Sequence, residues 1–159
     1  MEARMNLFGS EVSTKVLKYL TSAHYAVAKS SLPASIQELV RLRASQINGC
    51  GFCVDMHTKE AAHAGETPVR LALVAAWRET TVFTEAERAA LELAEQGTRI
   101  ADASGGVPDE VWANAAKHFD EEQLAALIST IAIINAFNRM NVIAQLPTAG
   151  DYEPGQALI

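Results

Sequence analysis

PASIQELVRLRASQINGCGFCVDMHTKEAAHAG, residues 33–65, reads as two helices meeting at a sharp break. In the first half, Ile36, Leu39, Val40 and Ile47 recur at helical spacing, and Pro33 suits a first helical turn. Asn48-Gly49 stops that helix, because both residues tolerate the left-handed backbone that ends one. The next helix begins at about Cys50 and ends at Gly65. No stretch alternates polar and apolar residues with a β-branched bias, so no strand is expected.

The pattern continues outward on both sides. Upstream, Val12, Val16, Leu20, His24 and Val27 form one stripe of a helix from about Val12 to Ala28. Downstream, Thr67-Pro68 opens a helix carrying Leu71, Val74, Ala75 and Trp77. Thr84 with Glu87 forms a capping box ahead of Ala90, Leu91 and Ala94. Asp102 to Gly106 reads as a loop, and Pro108 opens a short helix with Val111, Trp112 and Ala115. Asp120 with Gln123 caps the last and most apolar helix, Leu124 to about Ala144. The expectation is an all-α, compact helical bundle of about six to seven helices in a single domain. Its core spans about residues 32–144, and 145–159 form a tail.

The chain has 159 residues and a net charge of −6. That length suits one domain with a proper core. An acidic surface argues against non-specific binding to nucleic acid or anionic lipid, where neutralised phosphate supplies the affinity. The opening MEARMNLFGS lacks the apolar run of a secretory signal. The longest apolar stretch, Leu124–Phe137, falls short of the roughly 20 residues a membrane span needs. A cytoplasmic protein is expected. Its 2 cysteines, three residues apart, are too few for a secreted disulfide scaffold and point to redox or metal chemistry.

On a helix, Cys50, Cys53 and His57 share one stripe, continued by Ala61 and Ala64. A free thiol with a pKa of about 8.5 is mostly protonated at neutral pH and reacts only as thiolate. Two features lower that barrier here. A helix start favours negative charge by roughly 0.3–1 kcal/mol, which points to Cys50. A histidine one turn on can take a thiol proton, which points to Cys53. A second thiol one turn away traps an oxidised first thiol as a disulfide.

Other readings stand beside this one. Cys50, Cys53, His57 and Glu38 could together hold zinc, or the cysteines could be inert and buried. Glu38 taken alone is an ordinary partner for Arg41. His24 reads as a packing residue, His63 as surface, and His118 as a residue at a helix's negative pole. Trp77 and Trp112 read as packing of helix ends, with Arg78-Glu79 a solvated terminus. Asn135, Asn138 and Asn141, three apart along the last helix, are expected to hydrogen-bond backbone across a helix or subunit contact, with a pocket-lining role as the alternative.

The spacing Glu38-x11-Cys50-x2-Cys53-x3-His57 resembles the active-site pattern of the alkylhydroperoxidase D branch of the carboxymuconolactone decarboxylase-like family. The resemblance implies a thiol-dependent peroxidase that reduces organic hydroperoxides in antioxidant defence. By position, Cys53 would be the peroxidatic thiol, Cys50 the resolving thiol, His57 the proton carrier and Glu38 its orienting carboxylate. One residue departs: members often carry a histidine just before the second cysteine, and here that residue is Phe52. The implied reductant is a lipoyl group or a thioredoxin-like protein, with no metal or other cofactor. The implied assembly is a homo-oligomer, a trimer or a multiple of it. The alternatives are a disulfide reductase that never meets peroxide, or a redox-sensing or zinc-binding interaction module.

Overall fold

The computed structural model describes residues 2–147, 150 and 152–155. It has seven α-helices: α1 Glu11–Ala28, α2 Ala34–Asn48, α3 Gly51–His63, α4 Pro68–Leu73, α5 Glu85–Thr98, α6 Asp109–Ala115 and α7 Glu121–Ala144. Short 3-10 turns occupy Leu7–Gly9 and Val74–Glu79, and no strand occurs among the described residues. The all-α bundle expected from the sequence is therefore the fold.

α2 is its axis and packs on α3, α5 and α7. Neighbouring residues of α2 feed two apolar clusters. Val40 joins Ala94 of α5 and Leu127 of α7, while Leu39 and Leu42 join Ala61, Trp77 and Leu91. α2 is buried nearly all round, so its polar Gln37, Arg41 and Ser45 are buried too. Burying such groups is tolerable only where they are bonded. Arg41 reaches Gln37 Oε1 at 2.8 Å, Gln37 Nε2 reaches Leu32 O at 2.9 Å, and Ser45 Oγ reaches Arg41 O at 2.7 Å. The capping boxes at Thr84–Glu87 and Asp120–Gln123 are both formed.

Four expectations need correction. The stripe read for α1 faces inward only at its C-terminal end: Val12 is 73% exposed and Val16 42%, while His24 and Val27 turn inward. α1 leans chiefly on α7 and turns Leu17, Thr21, His24 and Val27 toward a cavity. The helix read through Trp77 ends at Leu73, because Ala76 takes a non-helical backbone and kinks the chain. Trp112 is half-exposed rather than packed. Finally, α7 is long and apolar enough to cross a membrane by length and composition, with 24 residues and a mean hydropathy of 1.3. Thr130, Asn135 and Asn138 interrupt the apolar run without breaking the helix. All three are buried inside the bundle, as in the core helix of a helical domain.

The break between α2 and α3 is a left-handed Gly49 at φ 64°, with the Cys50 N–H closing onto Ser45 O at 3.0 Å. A Cβ at Gly49 would meet nothing within 4 Å, so its cost is purely one of backbone conformation. Gly49→Ala should therefore lower the unfolding free energy by about 1 kcal/mol. In urea the midpoint should fall with the slope unchanged. An unmoved midpoint would mean that the turn takes a side chain without strain.

Candidate active site

The break places Cys50 in the N-cap position of α3, with an extended backbone at φ −82° and ψ 92°, one residue before the helix proper. Cys53 lies in the first turn. The two sulfurs are 3.0 Å apart, unbonded, and both residues are buried, at 2% and 1% exposure. The sequence spacing thus does bring Cys50 and Cys53 together. The shared stripe is less regular than expected. Cys53 and His57 line a cavity, Cys50 sits behind them, and Ala64 at the end of α3 is exposed.

His57 Nδ1 is 2.8 Å from Glu38 Oε2, so α2 and α3 meet through this pair. A carboxylate only accepts, so Nδ1 carries the proton and the neutral ring's Nε2 is left as acceptor. Arg41 bonds the other Glu38 oxygen at 2.5 Å. Burial pushes the Glu38 carboxyl up, but the bonds from His57 and Arg41 outweigh it and hold it down to about 2. Glu38 is therefore a half-buried, doubly held carboxylate and no solvated helix residue. His57 makes no direct hydrogen bond to Cys53 among the described residues. A proton passing from Cys53 to His57 therefore needs a carrier between them.

The partners of Cys53 Sγ are Cys50 Sγ and the amide of Asn141 at 3.3 Å. Together these make the first proton of the pair easy to lose and the second hard. The hydrogen bond between the two sulfurs pulls Cys50 down to about 6 despite burial, helped by the Cys53 backbone N–H and by Asn141 and Asn138. The same bond, together with burial, pushes Cys53 up. Of the two thiols, Cys50 is thus the easier to ionise.

The cavity holds about 510 Å³, and its wall includes Phe52, Met56, Ile134 and Phe137 as well as Cys53 and His57. Three contributors, His24, Leu146 and Tyr152, were not read as site residues, while Asn141 takes the pocket-lining role given as its alternative. His24 faces it rather than packing, and burial, then Arg41 and His57, lower its pKa to about 4. Asn141 lines it. So do Leu146 and Tyr152, from the segment read as a tail. That segment leans on α3: Tyr152 Oη and the Gly155 N–H both donate to Glu60, and Lys59 Nζ donates to Gly150 O at 2.7 Å. Residues 148, 149, 151 and 156–159 of the expected tail lie outside the described residues.

Elsewhere, Trp77 is buried with its indole N–H on Glu95 at 3.0 Å, and His63 and His118 are exposed. Arg78 and Glu79 end the 3-10 turn and are exposed, as expected of a solvated terminus, and Arg78 also joins Arg43 and Trp77 on buried Glu95. Among the described residues no three of His, Cys, Asp or Glu converge as a metal-ligand set.

Residues 14–96 match the carboxymuconolactone decarboxylase family. Over 132 residues, 83% of this chain and 88% of the other, the sequence is 39% identical to the uncharacterized protein YdfG of Bacillus subtilis (strain 168). The chain belongs to the carboxymuconolactone decarboxylase family. Within this family it is similar to a second uncharacterized protein, YnjA of Escherichia coli (strain K12), at 32% identity over 77% of this chain and 65% of the relative. A solved Agrobacterium tumefaciens structure is 35% identical and superposes at a TM-score of 0.86, covering 93% of this chain and 99% of that one. It is described as a protein of unknown function with a suggested antioxidant-defence (AhpD) role. This chain is accordingly an AhpD-like member of the carboxymuconolactone decarboxylase family.

The Glu38 pair gives this family member a signature in acid. Its folded pKa of about 2 lies below the ordinary 4.5. The ionised carboxylate therefore stabilises the fold at neutral pH, and that contribution is lost as pH falls from 4.5 to 2. Glu38→Gln should remove this slope: over that window its unfolding free energy should depend on pH by about one proton fewer. Parallel curves for the two proteins would show that the carboxylate is not held in this way.

Proposed function

We propose that the chain is a thiol-dependent peroxidase that reduces organic hydroperoxides through a Cys50–Cys53 dithiol/disulfide cycle, in antioxidant defence. The observation that carries this reading is Cys53 on the wall of an apolar cavity of about 510 Å³, with a second sulfur 3.0 Å behind it. The reading also draws on the likeness to the Agrobacterium protein.

In the cycle, Cys53 passes its proton to Cys50 or, through a water, to His57 Nε2. The Cys53 thiolate then attacks the terminal peroxide oxygen. The S–O bond forms as the O–O bond breaks, and the departing alkoxide takes the proton that Cys53 gave up, from His57 or from Cys50, to leave as alcohol. Cys50 attacks the sulfenic sulfur, the S–S bond forms, and hydroxide leaves and is protonated to water. The dithiol has lost two electrons and the peroxide has gained them. An external dithiol, by family analogy a lipoyl group or a thioredoxin-like protein, restores both thiols by exchange. Glu38 orients His57 and supports the positive charge it takes up.

One observation favours a second reading. Phe52 lines the cavity where relatives often carry a relay histidine, which makes the wall greasier and the proton path poorer. That suits a disulfide reductase fed by lipoyl groups. Stoichiometric titration with cumene hydroperoxide separates the two: loss of both thiols with one equivalent consumed supports the peroxidase, and thiols that oxidise only with a disulfide substrate support the reductase.

Access assigns the nucleophile, since Cys53 faces the cavity and Cys50 does not. Cys50→Ser should still consume one equivalent of peroxide and leave a sulfenic acid at Cys53 that dimedone traps. Cys53→Ser should be inert at comparable rates. The opposite pattern would make Cys50 the attacking thiol.

We also propose a homo-oligomer, a trimer or a multiple of one. Val12, Val16 and Tyr19 form an exposed apolar stripe on α1, and Ile143 of α7 is exposed as well. Apolar surface of this kind marks an interaction face. Light scattering at micromolar concentration should give a multiple of 17.1 kDa. A monomer mass would refute it.

A further inference from the structure

We infer that the side-chain amide of Asn141 is the group that holds the thiolate of the Cys50–Cys53 pair, and that it thereby makes the disulfide easier to reduce. This rests on the dithiol reading above for its redox part and on geometry alone for its electrostatic part.

Asn141 is on α7, across the site from α3. Its Nδ2 lies 3.3 Å from Cys53 Sγ and 3.9 Å from Cys50 Sγ, so one amide group spans both sulfurs. The residue is buried, and the sulfurs are the only partners of its Nδ2 among the described residues. A neutral thiol is a weak acceptor and a disulfide sulfur is no better. Burying an amide donor against such partners leaves much of its desolvation cost unrecovered. The same donor facing a thiolate makes a charge-assisted bond, roughly twice as strong as a neutral one. An asparagine here is explained by an anion and not by packing, because leucine would fill the place without that cost.

The neighbouring amides fix its aim. Asn138, one turn before it, donates to Ser45 Oγ at 3.0 Å and accepts from Asn48 Nδ2 at 2.9 Å. That same Asn48 amide reaches Asn135 Oδ1 at 2.9 Å. α7 is thus pinned to the end of α2, immediately before the cysteines, and cannot slide the Asn141 amide away from them.

The redox consequence follows from the half-reaction. Disulfide plus two electrons and one proton gives one thiolate and one thiol. A donor that favours the thiolate and has little to offer the disulfide stabilises the right-hand side. Removing it should make the disulfide harder to reduce.

The test is thiolate absorbance at 240 nm against pH on the reduced protein, for the native chain, for Asn141→Leu (similar size, no donor) and for Asn141→Asp (same shape, acceptor for donor). Beyond the carboxyl that Asn141→Asp introduces, the charged and titratable groups lining the site are the same in all three: Glu38 and Arg41 from α2, His57 from α3, His24 and Lys18 from α1, and Tyr152. In Asn141→Leu the first thiol pKa should rise by about one unit, tenfold in the thiol–thiolate equilibrium, and further in Asn141→Asp. In glutathione buffer at pH 8, the Asn141→Leu disulfide should be about tenfold harder to reduce, a shift of about 30 mV. Folded variants with an unmoved pKa would overturn the inference, and Asn141→Ala carries the same titration if leucine prevents folding. If the native chain forms no disulfide in glutathione, the dithiol cycle fails, and the absorbance titration still decides the role of Asn141.

Discussion

Glu38 and His57 are 19 residues apart in sequence and 2.8 Å apart in space. On one continuous helix that separation would be about 28 Å of rise. The left-handed Gly49 removes it by ending α2 and laying α3 alongside. The turn also leaves Cys50 in the N-cap position, extended and outside the helix, where the Cys53 backbone N–H favours charge on its sulfur. A straight helix would have put Cys50 on the same face as Cys53 but without that donor. The break therefore sets both the carboxylate–imidazole contact and the charge preference of the dithiol.

The second constraint is the polar seam between α2 and α7. Asn48, Asn135, Asn138 and Ser45 satisfy one another inside a region that is otherwise apolar. Such a network adds little net stability, because each group gives up its water to join it. Its effect is on register. Sliding α7 by one turn would leave several amides unpaired in a low-dielectric interior, where each unpaired group costs about 1–3 kcal/mol. Apolar contacts alone would resist that slip far less, since leucine and isoleucine exchange places along a greasy helix with little penalty. Specific register is what a site shared between α3 and α7 requires.

Much of this was readable in the chain. The helices follow from apolar spacing and from capping residues, both local signals, the dithiol with His57 follows from helical spacing, and Glu38 is picked out only by the family resemblance of the whole pattern. What escaped is what depends on distant partners. The α1 stripe runs from Val12 to Val27, and only packing against α7 decides that its far end, His24 and Val27, faces in while Val12 and Val16 stay exposed. The kink at Ala76 has no glycine or proline to announce it. Asn141 looks like its neighbours Asn135 and Asn138, and nothing in a single helix says that one of three asparagines faces sulfur while the others face amides. Leu146 and Tyr152 enter the cavity wall from a segment whose composition is that of a tail, and only Glu60, some 92 residues away, draws it in.

The more easily ionised thiol and the proposed nucleophile are different cysteines, and this is no contradiction. Thiols at 3.0 Å exchange a proton far faster than either meets a peroxide. The rate then depends on the free energy of the transition state reached from each sulfur, not on where the charge waits. Attack from Cys50 would require peroxide behind Cys53, where the wall is closed. Attack from Cys53 requires moving the charge one sulfur forward, at a cost set by the pull of the helix start on Cys50. Asn141, 3.3 Å from Cys53 and 3.9 Å from Cys50, lowers that cost because its donor is nearer the forward sulfur. Once Cys53 is a sulfenic acid, Cys50 is the thiol whose charge the helix start favours, which is what a resolving nucleophile needs. The helix start thus slows the first step slightly and speeds the second, and the second is the one that must outrun further oxidation of Cys53.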